Sequence, residues 1–148
     1  MTLQIPPAAA FRLDDFPLRL TENVRYGDLD PNQHVNNATY STYFETGRVS
    51  LIRNPAFGLM PPGQSWVLAH LSIDFKAEVH WPGTVELGLA VSRLGRASVT
   101  YEQVVFYNGA CAASALAITV LVDERTRKPT PLTEDIIQRF QPWLRKNS

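Results

Sequence analysis

Apolar and polar residues alternate through most of the second half of the chain, and a three-and-four spacing marks one stretch of the first half. Residues 18–26 alternate in part, through Leu18, Leu20, Val24 and Tyr26, which predicts a first strand. Over residues 37–53, NATYSTYFETGRVSLIR, the side chains of Tyr40, Tyr43, Phe44 and Leu51 and the bare Gly47 fall on one helical face. Asn36 or Asn37 can cap that helix, and Asn54-Pro55 ends it. A glycine inside a helix costs about 1 kcal/mol relative to alanine, so the Gly47 face is expected to lie close against a sheet. After a loop at 57–65, strict alternation returns over 66–79 (Val67, Ala69, Leu71, Ile73, Phe75); 84–94 and 97–107 alternate again, and the apolar run 110–122 reads as the last strand. Trp81-Pro82-Gly83, Leu94-Gly95-Arg96 and Asn108-Gly109 separate these runs; the last has the two residues that a type I′ hairpin turn demands.

A charged turn is expected over 123–131 and a short helix over 133–144, while residues 1–17, with Pro6, Pro7 and Pro17, read as a lead-in arm. No repeat or linker divides the chain. Residues 1–148 therefore read as one α+β domain, with an antiparallel sheet of about five strands and one long helix laid across it.

Composition narrows the chemistry. The 148 residues are 45% hydrophobic and 19% charged, as in a globular domain. Fourteen basic residues balance fourteen acidic ones, so net charge gives no pull toward nucleic acid. Cys111 is the single cysteine and lies in an apolar run, so it reads as a small buried hydrophobe, and with three scattered histidines it offers no usual zinc site. No apolar run reaches the length of a membrane span. The N-terminus lacks the pattern of a secretory signal, and a cytoplasmic, reducing compartment is expected.

The polar segment DLDPNQHVNN, residues 28–37, stands between the first strand and the helix. Asp28 and Asp30 flank Leu29 at the end of the first strand, and alternation points both to one side. A helix start offers unpaired N–H groups, which can hold an oxyanion, and a carboxylate beside them can act as base or nucleophile on a carbonyl carbon. That pairing suits acyl transfer or ester-type hydrolysis. Simpler roles exist for each residue: Asp30 as a charge at the helix dipole, Asp28 as a turn or capping group, and His34 as a hydrogen-bonded fixture rather than a base. A divalent cation on Asp28, Asp30 and His34 lacks further ligands. Glu45 and Arg48 have the spacing of an i,i+3 ion pair.

The segment RYGDLDPNQHVNNATYSTYFETGR, Arg25 to Arg48, resembles the hotdog-fold acyl-CoA thioesterases of the 4-hydroxybenzoyl-CoA thioesterase class. Its Arg-Tyr-x-Asp-x-Asp, His-Val-Asn-Asn and Phe-Glu-x-x-Arg elements follow that pattern, and the later strands agree more loosely to about residue 131. The resemblance implies a hotdog fold, with the sheet wrapped around the helix. It implies Asp30 as the catalytic carboxylate, with a backbone N–H near Val35, Asn36 or Asn37 on the thioester oxygen and His34 beside it. It also implies homodimers whose sheets run on, often paired into homotetramers, and it calls for no metal or redox cofactor. Many members have glycine where this chain has Gln33; if that glycine serves a positive φ, Gln33 is strained or the turn differs. Another branch uses a helix glutamate, to which Glu45 is the nearest counterpart.

An acyl-CoA substrate needs an apolar pocket, for which Tyr40, Tyr43, Phe44, Trp66 and Leu68 are candidates, each with the alternative of plain core. Its phosphates need cations, for which Arg93, Arg96, Arg125, Arg127 and Lys128 are candidates, each with the alternative of a solvated turn. Two other functions share the expected fold: a non-catalytic protein that binds acyl thioesters, and a dehydratase working through a histidine and a carboxylate.

Overall fold

A computed structural model describes residues 11–146. Five strands form one sheet: β1 (Leu18–Val24), β2 (Gln64–Phe75), β3 (Gly83–Leu94), β4 (Ser98–Tyr107) and β5 (Ala110–Asp123). Their order is β1-β3-β4-β5-β2, and every pairing is antiparallel. The long helix α1 (Asn37–Ile52) crosses one face, and a short helix, α2 (Glu134–Phe140), follows the sheet. The architecture is the expected α+β hotdog.

The helix buries the face its spacing marked. Tyr40, Tyr43, Phe44, Gly47, Leu51 and Ile52 are all buried, against Val85, Leu87 and Leu89 of β3 and Val99, Tyr101 and Val105 of β4. Burying each large apolar side chain stabilises by about 1.5–3 kcal/mol. Gly47 is where helix and sheet come nearest: a Cβ there would stand 3.0 Å from Gln103 Nε2 on β4. The Asn108-Gly109 turn has positive φ at both residues, 51° and 81°, as a type I′ hairpin requires.

The opposite face of the sheet is also covered. Phe16 is fully buried against Ala90, Val104, Phe106 and Cys111. Its segment, read from sequence as a lead-in arm, thus closes a second core where it is described. Gly88 permits this approach, since a Cβ would meet Val104 at 2.8 Å and Phe16 at 3.1 Å. Cys111 is buried, as expected, and burial raises its thiol pKa.

Two boundaries move. The second strand, expected over 66–79, spans Gln64–Phe75. Lys76 and Ala77 both donate to the Ala112 carbonyl, at 2.8 and 3.1 Å, and Val79 then gives its carbonyl to Val35 N–H at 2.8 Å. Residues 76–82 therefore leave the ladder and run past the start of α1. The first strand ends at Val24, and Tyr26–Asp28 form a 3-10 turn. Alternation thus does not reach Asp28 and Asp30.

Candidate active site

The segment DLDPNQHV folds as a small hairpin. Leu29 bridges Val35, Asp30 N–H donates to the His34 carbonyl at 3.0 Å, and Gln33 N–H donates to the Asp30 carbonyl at 3.0 Å. Gln33 closes the turn with φ at 69°, so it takes the left-handed conformation itself. That conformation costs a side-chain-bearing residue roughly 1–2 kcal/mol, whereas glycine adopts it freely but loses about 0.5–1 kcal/mol of chain entropy. Gln33→Gly is therefore expected to stabilise by up to about 1 kcal/mol, which a thermal melt reads as a Tm rise of roughly 2–4 °C. A lower Tm would show that contacts of the Gln33 side chain outweigh the strain.

The two aspartates have separate environments. Asp28 is buried; its Oδ2 accepts from the Tyr43 hydroxyl at 2.9 Å and from Arg25 N–H at 2.8 Å. Its carbonyl accepts from Asn36 N–H at 2.9 Å. Asp28 is thus a structural tie between the hairpin and α1. Burial, and then the bond to Asp28, raise the Tyr43 pKa, so this phenol stays a donor. Asp30 is part-exposed. Its Oδ1 accepts from Asn32 N–H at 2.8 Å, while its Oδ2 lies 3.7 Å from His34 Nδ1. One oxygen holds the turn and the other faces the imidazole.

Of the three backbone donors at the helix start, two are occupied. Val35 N–H bonds Val79, and Asn36 N–H bonds Asp28. Asn36 caps the helix, with its side chain accepting from Ala38 N–H at 2.9 Å. Asn37 N–H has no acceptor among the described residues and points out of the positive end of α1.

A cavity of about 250 Å³ opens here, lined by His34, Val35, Asn37, Tyr40, Phe75 and residues 76–78. Asp30 is not among the lining residues and adjoins the wall at His34. Tyr40 packs edge-on against Phe75, with ring centroids 5.2 Å apart. Burial, and then Glu78, raise the Tyr40 pKa, so it presents a neutral hydroxyl. Lys76, Glu78 and His80, which sequence reading passed over, join this end. His80 lies 3.4 Å from Glu78, its ring 6.4 Å from that of His34. They sit here because residues 76–82 leave the sheet, an event that unbroken alternation hides.

The remaining candidates do not gather at one point. Tyr43 is tied to Asp28, and Phe44 is core. Trp66 and Leu68 line a different cavity, beside Arg48. Arg93, Arg96, Arg125, Arg127 and Lys128 are all exposed. Their two turns adjoin, since Leu132 N–H bonds the Arg96 carbonyl. They lie at the far end of β5 from Ala112, on the order of 30 Å away by strand rise, so within one chain they are remote from His34. The expected Glu45–Arg48 ion pair is absent from the described ion pairs; Arg48 turns inward and donates to Gln103 Oε1 at 3.0 Å. No cluster of three or more His, Cys, Asp or Glu suited to a metal is found among the described residues. No described helix is long and apolar enough to cross a membrane.

Comparison with known proteins agrees with the fold. Residues 24–140 match the thioesterase-like superfamily. The chain belongs to that superfamily. A thioesterase from Thermus thermophilus, solved with coenzyme A and zinc, is 31% identical, with a TM-score of 0.74 over 86% of this chain and 94% of that one. The PA5185 protein from Pseudomonas aeruginosa is 26% identical, with a TM-score of 0.82 over 91% and 96%. A DHNA-CoA thioesterase from Staphylococcus aureus, 21% identical with a TM-score of 0.74 over 82% and 87%, shares the fold. No curated protein matches the chain.

Proposed function

We propose that this thioesterase-superfamily protein is an acyl-CoA thioesterase of the 4-hydroxybenzoyl-CoA thioesterase class, with Asp30 as its catalytic carboxylate. The observation that carries the reading is the pairing of Asp30 and His34, 3.7 Å apart, beside the free Asn37 N–H on an aromatic-walled cavity. The thioester oxygen sits on Asn37 N–H. Asp30 Oδ2 takes a proton from water as that water attacks the carbonyl carbon. The tetrahedral adduct collapses, the C–S bond breaks, and the thiolate leaves with a proton as free CoA. The other product is a carboxylic acid. A placed base contributes roughly 10²–10⁴-fold and one oxyanion donor roughly 10²–10³-fold. The reaction needs no metal or redox cofactor.

The acting unit is a homodimer built on β2. This strand is twelve residues long, lies at the edge of the sheet, and leaves Val67, Leu68 and Phe75 exposed. A long apolar edge is a template for strand pairing. A second copy on it continues the sheet and adds walls to the cavity through Phe75. This also supplies a route for basic turns of a partner to reach CoA phosphates that those of the same chain cannot.

Thiol release from a panel of short, long and aromatic acyl-CoAs tests the reading, and release from any of them supports it. One observation favours a dehydratase as the second reading: His34, not Asp30, lies on the cavity wall. Enoyl absorbance from a hydroxyacyl-CoA without thiol release would establish that alternative. Binding without either product would leave the non-catalytic acyl-thioester protein.

A further inference from the structure

A second cavity, of about 260 Å³, lies beside the C-terminal half of α1, away from the hairpin. Its polar wall is unusual. Arg48 is only 7% exposed, yet none of the described ion pairs includes it. Among the described residues its side chain bonds only the neutral amide of Gln103. Glu45 is close enough to favour the charged form but does not bridge to it. Beside Arg48 stand Tyr101, fully buried, and Thr119, 6% exposed. Among the described residues neither hydroxyl has a partner in hydrogen-bonding geometry, although Thr119 lies near enough to Tyr101 to favour its ionised form against burial. Buried charges are ordinarily paired and buried hydroxyls bonded. Here a guanidinium with one neutral partner and two residues with unbonded hydroxyls line one space. The other walls include Ile52, Met60 and Trp66. The charged lining is Glu45, Arg48 and Arg53, with a net charge of +1.

We propose that this cavity is a binding site for a carboxylate carried on a compact apolar body. The guanidinium supplies the charge-assisted bonds that a carboxylate accepts, the two hydroxyls donate to its remaining lone pairs, and Trp66, Met60 and Ile52 enclose the apolar part. A phosphate has the charge but leaves the apolar walls unfilled.

Benzoate is the probe, with benzamide as its neutral counterpart, titrated calorimetrically. Benzoate is expected to bind with Kd of about 1 mM or tighter, and benzamide at least ~10-fold more weakly. Arg48→Met is expected to abolish benzoate binding. Because that variant also loses a buried bond, Tyr101→Phe gives the decisive reading. It removes a hydroxyl that has no partner in the free protein, so Tm is expected to stay level or rise, while benzoate affinity falls ~10-fold. Absence of saturable binding, equal binding of benzamide, or benzoate affinity untouched by Tyr101→Phe and Arg48→Met would each overturn the site.

The carboxylate can arrive as a free acid or as the far end of a long acyl chain. The thioester position at the start of α1 is ~16 Å from Arg48 by helical rise. Long-chain acyl-CoAs with and without a terminal carboxylate separate the sources. A lower KM for the carboxylated chain, lost in Arg48→Met, assigns the substrate's own end. Equal KM with benzoate still bound assigns a free acid. Only this arm rests on the thioesterase reading; the benzoate titration stands without it.

Discussion

Replacing Gln103 by leucine is expected to cost about 3 kcal/mol of stability. Gln103 is buried on β4 and serves α1 twice: its Nε2 donates to the Phe44 carbonyl at 2.8 Å, and its Oε1 accepts from Arg48 at 3.0 Å. Leucine conserves most of the volume and removes both bonds. The Phe44 carbonyl keeps its place in the helical ladder, so its loss is the smaller. Arg48 loses the hydrogen bond to Gln103, the one its side chain makes among the described residues, and stays charged; a hydrogen bond to a buried charge is worth about 1.5–3 kcal/mol, with the desolvated cation adding to that. For a domain of this size, Tm is expected to fall by roughly 10 °C. Arg48→Met alone strands the Gln103 amide oxygen and costs less. The double variant Arg48→Met with Gln103→Leu removes both polar partners and is expected to recover most of the loss, since replacing a buried pair by apolar groups is near neutral. Thermal melts of the four proteins close the cycle. Equal Tm for native protein and Gln103→Leu would mean that water, not Gln103, solvates Arg48.

This network also marks where sequence reading reached its limit. The spacing of Tyr40, Tyr43, Phe44, Gly47 and Leu51 was enough to place the helix and its buried face, because a period of three and four has one packing solution. Gly47 even announced the close approach to the sheet. Arg48 lies on the same face by angle, but its charge suggested the local partner, Glu45. The partner that won, Gln103, is 55 residues away, and no local rule names it. The aspartates fail the same way. Alternation joined Asp28 to Asp30, but the strand stops at Val24 and a 3-10 turn sends Asp28 inward to Tyr43. Residues 71–79 continue to alternate after their ladder ends, so Lys76, Glu78 and His80 stayed hidden.

The five basic residues proposed for phosphates offer a different lesson. Their charge was visible, but their end of the molecule was a matter of strand direction. The β3–β4 turn and the turn after β5 fall at one end of an antiparallel sheet, while the end of β2 and the start of β5 fall at the other. Counting strand reversals from the hairpin would have placed them away from Asp30 before any coordinates.

Asp30→Asn is expected to lower thiol release at least ~100-fold while leaving the fold intact. The substitution is matched to what Asp30 does. Its Oδ1 accepts from Asn32 N–H in the turn, and an asparagine oxygen accepts the same bond, so Tm is expected to change little. What disappears is the basic Oδ2 facing His34. An amide there cannot take a proton from water, nor attack the carbonyl carbon. Asp28→Ala supplies the contrast. It removes the acceptor of the Tyr43 hydroxyl and of Arg25 N–H, so it is expected to lower Tm by several degrees, with activity following the fraction folded. Kinetics of thiol release with melts on the same samples separate the two aspartates. Full release by Asp30→Asn would take that carboxylate out of the mechanism and leave His34, the imidazole on the cavity wall, as the base to test next. A large activity loss with unchanged Tm would place the proton transfer at Asp30, because the neighbouring hydrogen bonds would all still be present.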